Sequence, residues 1–308
     1  MKAIVCTKYG PPEVLRLAEV PAPAPKAHEV LVKVGATTVA SGDLRVRGFN
    51  SPLLLWLPMR IVLGLRRPRK PILGVELAGE VVEVGGQVQR FRKGDRVFAL
   101  TGMQFGAHAE YACLHEDGVA ALMPAGASYE EAAALPMGGT TALYFLRKGS
   151  IRSGQRVLVY GASGAVGTLA VQLAKHFGAD VTGVCSTANL ELVKALGADR
   201  AVDYTKEAFA DGRERYDLVF DAVGKLSKAA CRKALAPGGA YVTVDGQGIA
   251  KVTRDHLMFL KELMEVGAIR PVIDRRYPLE QIPDAHRYVE QGRKRGSVVI
   301  QVAAPSVL

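Results

Sequence analysis

One stretch, Gln155 to Gly167 (QRVLVYGASGAVG), restricts the folds open to this chain more than any other. Arg156 to Tyr160 has the β-branched, apolar composition of a short strand. Gly161, Gly164 and Gly167 interrupt it where Val166, Leu169, Ala170, Leu173 and Ala174 begin a helical apolar spacing that runs to Phe177. Ala162 to Gly167 match A-x-G-x-x-G, with Ala162 in the first glycine position. Such a turn can hold a dinucleotide pyrophosphate, because glycines let the backbone approach closely and the helix N-terminus turns unpaired N–H groups toward the anion. The hexapeptide alone is a weak signal, since small residues also recur wherever a helix packs tightly on a strand. Context strengthens it: Asp180 to Cys185 is a second strand at βαβ spacing, and Val202 to Tyr204 and Leu218 to Phe220 supply further strands.

A chain of 308 residues has room for about two domains. No opening stretch has the order of a signal peptide, and the longest apolar runs, Leu53 to Leu65 included, are broken well short of a membrane span. A cytoplasmic enzyme is the expectation. Cys6, Cys113, Cys185 and Cys231 are scattered without C-x-x-C spacing, which predicts neither a disulfide framework nor a structural zinc site; Cys113 and His115 share a strand face but lack further ligands. The net charge of +10 is densest at Arg60, Arg66, Arg67, Arg69 and Lys70. No nucleic-acid-binding motif accompanies it, so a solvated basic face is the expectation, some of the charge serving an anionic cofactor.

Along the chain, Met1 to Cys6 and Glu29 to Thr38 read as half-exposed strands and Ser41 to Arg47 as a short turn or helix. Asn50 to Pro71 reads as a long loop with an apolar tip at Leu53, Leu54, Leu55, Trp56, Leu57 and Met59, either a buried short helix or a flap over an apolar pocket. Gly74 to Phe98 holds two strands and Gly106 to Leu114 another. From Tyr129 helices and strands alternate until about Val266, and a helix near Asp284 to Gln291 and a strand Ser297 to Val302 close the chain.

With these elements placed, the chain resembles the medium-chain dehydrogenase/reductase superfamily, and within it the zinc-free, quinone oxidoreductase-like (zeta-crystallin-like) branch. The resemblance rests on EVLVKV with TTVASGDLRVRG, GVELAGEVVEVG, KGDRVF, AAALPMGGTTALYFL, VLVYGASGAVG, GADRAVDY, DLVFDAVG and RYPLEQIPDAHRYVEQGRKRGSVVI, in that order. It implies an α/β protein: a GroES-like β-rich catalytic domain from residues 1–124 and 268–308, and a doubly wound Rossmann domain from 125–267, with cofactor and substrate in the cleft between them. It also implies an NADPH-dependent oxidoreductase acting on a small apolar quinone or carbonyl.

Two departures qualify the likeness. Zinc-dependent members carry Cys and His where this chain has Ala40 and Val75, so no metal is expected. After the strand Ala240 to Val244, only Asp245 to Thr253 precede the next helix, too few for a crossover to one more parallel strand. The Rossmann domain should be shortened after its fifth strand, and the dimer that relatives form at that edge is in doubt.

The resemblance places Ser163, Gly164, Ala165 and Val166 on the pyrophosphate, Thr141 of the Gly138 to Thr141 turn near the nicotinamide, and Ala222 and Val223 at its ribose. Where an NAD-selective enzyme carries an acid after the second strand, Cys185 to Asn189 offers hydroxyls and an amide; Ser186, Asn189 and Tyr204 would surround a 2′-phosphate, making NADPH the expected cofactor. Each has a plainer reading: Thr141 capping a helix Ala142 to Lys148, Ser186 or Asn189 capping the next one, and Tyr204 packing. Ser41 and Asp43 would line the substrate pocket, although Asp43 equally suits a turn fixed by hydrogen bonds to backbone. Tyr144 and Lys148 make a Y-x-x-x-K pair, but it precedes the glycine turn and is assigned to a structural helix. No residue stands out as the catalytic acid or base. The alternatives are an NADPH-binding regulatory or chaperone-like protein with little turnover, or an alcohol/aldehyde oxidoreductase.

Overall fold

The computed structural model describes residues 1–49, 56–210, 214–248 and 250–302. In chain order these form β1 (Lys2–Cys6), β2 (Leu15–Glu19), β3 (Glu29–Thr38), α1 (Ser41–Gly48), α2 (Trp56–Leu63), β4 (Glu76–Val84), β5 (Arg96–Leu100), β6 (Tyr111–His115), β7 (Val119–Leu122) and α3 (Tyr129–Ala133). There follow α4 (Pro136–Lys148), β8 (Arg156–Tyr160), α5 (Ala165–His176), β9 (Asp180–Cys185), α6 (Leu190–Ala195), β10 (Arg200–Asp203), β11 (Tyr216–Asp221), α7 (Lys228–Ala234), β12 (Leu235–Thr243) and α8 (Arg254–Glu265). The chain closes with β13 (Ile273–Pro278), α9 (Ile282–Glu290) and β14 (Ser297–Gln301). It divides into two compact units, Met1–Met137 with Ile273–Leu308, and Gly138–Val272.

The first unit is β-rich. Its main sheet runs β13-β14-β3-β4-β5-β7, with β6 also on β3, and every pairing except β13 to β14 is antiparallel. Two apolar clusters fill it: one around Val30, Val32, Leu77, Val81 and Val97, the other around Ile4, Leu73, Ile282, Val298 and Ile300. The strand expected from Gly106 starts only at Tyr111. Gly106 and His108 instead donate to Leu73, and Ile4 donates to the His108 carbonyl, so this stretch stitches β1 to the loop before β4. The expected loop after Asn50 holds α2; Leu53, Leu54 and Leu55 lie outside the described residues.

The second unit is a doubly wound α/β layer with an all-parallel sheet in the order β10-β9-β8-β11-β12. Strands buried on both faces read as continuous apolar runs, as Val157, Leu158 and Val159 do on β8 and Leu218, Val219 and Phe220 on β11. Among the described residues no strand follows β12 in this sheet, in keeping with the short Asp245 to Thr253 connection. The order reverses beside β8, and the turn leaving β8 therefore lies at the switch point, where open α/β sheets bind ligands. One sequence expectation is corrected here. Gly138 to Thr141 is no turn, because α4 begins at Pro136 and carries all four residues inside the helix. Gly138 is there for space: a methyl on it would lie 2.7 Å from the Ala165 carbonyl oxygen at the start of α5.

Candidate functional site

The nucleotide side is built on the turn from β8 to α5. Gly161 has φ +78°, which side chains disfavour, and a methyl there would also meet Val223 at 2.6 Å. The positive-φ turn thus falls one residue before the motif, and Ala162 in the motif's first position is fully buried beneath it. Gly164 is the residue before α5 and makes no side-chain cap. The first N–H groups of α5, unsatisfied within any helix, are left for an external acceptor. Gly167 sits so close under the turn that a methyl would lie 2.1 Å from the Gly161 carbonyl oxygen.

At the end of β9 the Asn189 amide donates to Ser163 Oγ at 3.1 Å and to Ser186 Oγ at 3.2 Å. This network ties the glycine turn to the neighbouring strand end. It also overturns the helix-capping alternative, since neither Ser186 nor Asn189 makes a side-chain cap. Asn189 Oδ1 is buried with no hydrogen-bond partner, and an unpaired buried acceptor calls for one. Tyr204 is 53% exposed, with one side of its ring against Tyr160 at 6.4 Å between centroids, so it packs in part and leaves the rest of the ring open.

An acid that the sequence reading passed over lies on the next strand: Asp203 pairs in register with Cys185. Thr187 and Thr205 hydroxyls and the Thr205 amide donate to it, and the Thr187 bond above all holds its carboxyl below the usual range. On β11, fully buried Asp221 accepts from the amides of Val223, Gly224 and Leu226 at 2.7–3.1 Å. Asp221 therefore shapes the loop that carries Ala222 and Val223, a role that becomes visible only once the loop is folded back onto it. Thr141, half-buried inside α4, does not cap the helix. Lys148 donates to the Gln247 carbonyl and Tyr144 stacks edge-on against Phe145, both structural roles.

In the first unit, Ala40 and Val75 join one apolar cluster with Phe49, Leu63 and Phe105. Neither side chain can donate to a metal, so the residues present do not fit the zinc that related enzymes hold at these positions. Asp43 requires a correction as a pocket residue. It is fully buried, and its oxygens accept from the amides of Ala40 at 2.9 Å and Gly74 at 3.0 Å, so it joins the α1 entry to the loop before β4. Burial pushes its carboxyl up. Ser41 is exposed beside it. Glu76 is 3% exposed and accepts from the Thr38 hydroxyl and, at 2.7 Å, from the Met137 amide; burial pushes it up to about 7.

These features agree with the chain's relatives. Residues 26–125 match the alcohol dehydrogenase GroES-like domain, and residues 165–280 match the zinc-binding dehydrogenase family. Tomato (Solanum lycopersicum) 2-methylene-furan-3-one reductase is 40% identical over 97% of this chain and 79% of its own length. The chloroplastic NADPH-dependent alkenal/one oxidoreductase of Arabidopsis thaliana is 36% identical over the same shares. The solved structure of the quinone oxidoreductase from Coxiella burnetii superimposes with a TM-score of 0.89 at 29% identity, over 98% of this chain and 99% of that one. The chain belongs to the medium-chain dehydrogenase/reductase superfamily, in its quinone oxidoreductase-like branch.

Proposed function

We propose that this protein is a zinc-independent reductase that uses NADPH to reduce quinones or α,β-unsaturated carbonyls. The observation that carries the reading is a complete nucleotide cradle, Gly161 to Gly167, in a chain whose two zinc-ligand positions are Ala40 and Val75 inside an apolar cluster. In this reading the unit Gly138–Val272 holds the nucleotide and the unit Met1–Met137 with Ile273–Leu308 binds the substrate, a division displaced from the 125–267 expected of the sequence because α3 packs on β3 and β4. The relatives named for enone and quinone reduction support the substrate class. Four free cysteines support a reducing compartment such as the cytoplasm; among the described residues no helix is long and apolar enough to cross a membrane.

Ser163 with the amides of Ala165 and Val166 would hold the pyrophosphate beside Gly164, whose own amide closes the turn on Gly161, and Ala222 and Val223, on the loop fixed by Asp221, would meet the nicotinamide ribose. Thr141 would lie on the nicotinamide side and Ser41 on the substrate side. Ser186, Asn189 and Tyr204 would surround the 2′-phosphate. When bound, NADPH supplies the hydride. Reducing an isolated aldehyde concentrates charge on one oxygen, which enzymes stabilise with a metal or a positioned acid. A conjugated acceptor spreads that charge over an enolate or quinol anion, so water or a weak donor completes protonation. What this chain contributes is positioning beside apolar side chains.

Initial rates with NADPH across quinones, enones, aldehydes and alcohols, with and without a chelator, test the reading. Enones and quinones should outrun aldehydes, with no loss to the chelator. A chelator-sensitive alcohol dehydrogenase activity exceeding both would overturn it, and tight NADPH binding without turnover on any acceptor would favour a regulatory protein.

Cofactor choice is open to a separate measurement. NADPH should bind more tightly than NADH, and Ser186→Asp should weaken NADPH at least about ten-fold, roughly 1.4 kcal/mol, by setting like charge beside the 2′-phosphate. Equal affinities of the unmutated protein for the two cofactors would remove the basis for this assignment.

A further inference from the structure

We propose that α2 and the basic run after it form a peripheral docking surface for an anionic lipid bilayer. At about 100° per residue, Leu57, Pro58, Ile61 and Val62 fall within one arc of roughly 140° on α2. All four are exposed, Leu57 by 59%, Ile61 by 55% and Val62 by 61%. The outward face of this helix is therefore entirely apolar, the reverse of an ordinary surface helix. Leu65, at 67%, extends the patch past the end of the helix, whereas Trp56, on the opposite side, packs edge-on against Phe49.

The inner face is firmly held. Leu63 is buried with Phe49, Val75 and Phe105, and Met59 packs against them. The Arg60 guanidinium lies over the rings of Phe49 at 3.9 Å, Tyr9 at 4.6 Å and Trp56 at 5.0 Å and donates to the Leu65 carbonyl at 2.7 Å. This corrects the sequence expectation that Arg60 belongs to a solvated basic face. Such anchoring fixes the helix with its apolar side outward.

Charge identifies the occupant. Arg66, Arg67, Arg69 and Lys70 follow α2 directly and are exposed, and among the described residues none has a carboxylate within ion-pair distance. In a chain already at +10, a second copy docking two-fold on this patch would bring the same four cations face to face. An anionic bilayer meets both features: apolar side chains standing proud of the surface enter between headgroups, and the cations meet lipid phosphates and carboxylates. The proposal needs neither cofactor nor turnover.

Flotation of the full chain with vesicles of phosphatidylcholine alone, or mixed with phosphatidylserine, tests it. Binding should be roughly ten-fold or more stronger to the anionic vesicles and should fall with added salt. Ile61→Asp/Val62→Asp should reduce vesicle binding at least about ten-fold, and Arg66→Glu/Arg67→Glu should remove the preference for phosphatidylserine. Absent vesicle binding, or binding indifferent to both variants, would overturn the proposal. So would a concentration-dependent dimer that Ile61→Asp/Val62→Asp dissolves, since a second copy would then be the occupant.

Discussion

Gly167→Ala should cost the protein about 3 kcal/mol of unfolding free energy and abolish NADPH binding, as read by denaturant titration and by calorimetry. The added methyl would lie 2.1 Å from the Gly161 carbonyl oxygen and 2.8 Å from the Ala162 Cα. Both obstacles are backbone, which cannot swing aside as a side-chain end can, so the cost belongs at the upper end for overpacking. Relief requires the α5 start to move away from β8, and that movement opens the cradle. Gly164→Ala separates the two consequences. Gly164 has φ −81°, a value open to any residue, and a methyl there meets only the Gly161 oxygen at an ordinary 3.6 Å. Stability should change by no more than about 1 kcal/mol, the cost of an alanine before the helix. NADPH affinity should nevertheless fall at least about ten-fold, because the methyl enters space that the pyrophosphate would fill. Wild-type affinity in Gly164→Ala would move the pyrophosphate elsewhere.

The contrast between these two glycines also shows what was legible before folding. The β8 strand, its turn and β9 could be read because their signals are local: a β-branched run, glycines and a helical period within some thirty residues. That no strand follows β12 in the parallel sheet among the described residues was equally plain, since nine residues are too few for a crossover. Gly138 to Thr141 misled because glycine ordinarily ends a helix, whereas here the Ala165 backbone leaves no room for a side chain. The lining role expected of Asp43 failed for a tertiary reason, its bond to the Gly74 amide thirty-one residues away. Asp203, Asp221 and Glu76 went unassigned on the same ground. A carboxylate in a sequence does not reveal which distant amides and hydroxyls will close around it, and those partners decide whether it binds, shapes or titrates.

Glu76 should make the protein less stable as pH rises toward neutrality. Its carboxyl is raised from 4.5 to about 7, first by burial, with Asp43 adding to the shift and Thr38, the Met137 amide and Lys294 opposing it. Between those two values the folded chain holds a proton that the unfolded chain has released, so the stability Glu76 contributes is full below 4.5 and is lost as pH climbs through about 7. At about 1.4 kcal/mol per unit, the decline from pH 5 to about 7.5 is roughly 2 kcal/mol. Glu76→Gln cannot release a proton and mimics the neutral acid: its oxygen can accept from the Met137 amide while its NH2 donates to the Thr38 oxygen. It should therefore match the unmutated protein in stability at pH 5 and exceed it by about 2 kcal/mol toward pH 7.5. Stopping there avoids the nearby Lys294 ammonium, which burial lowers to about 8. Denaturant titrations of the two proteins across this range decide the matter, and a pH-independent gap would place the titration on another group. The physical origin is desolvation: Glu76 is 3% exposed, and burial disfavours its charge by more than the Thr38 hydroxyl, the Met137 amide and the Lys294 ammonium favour it.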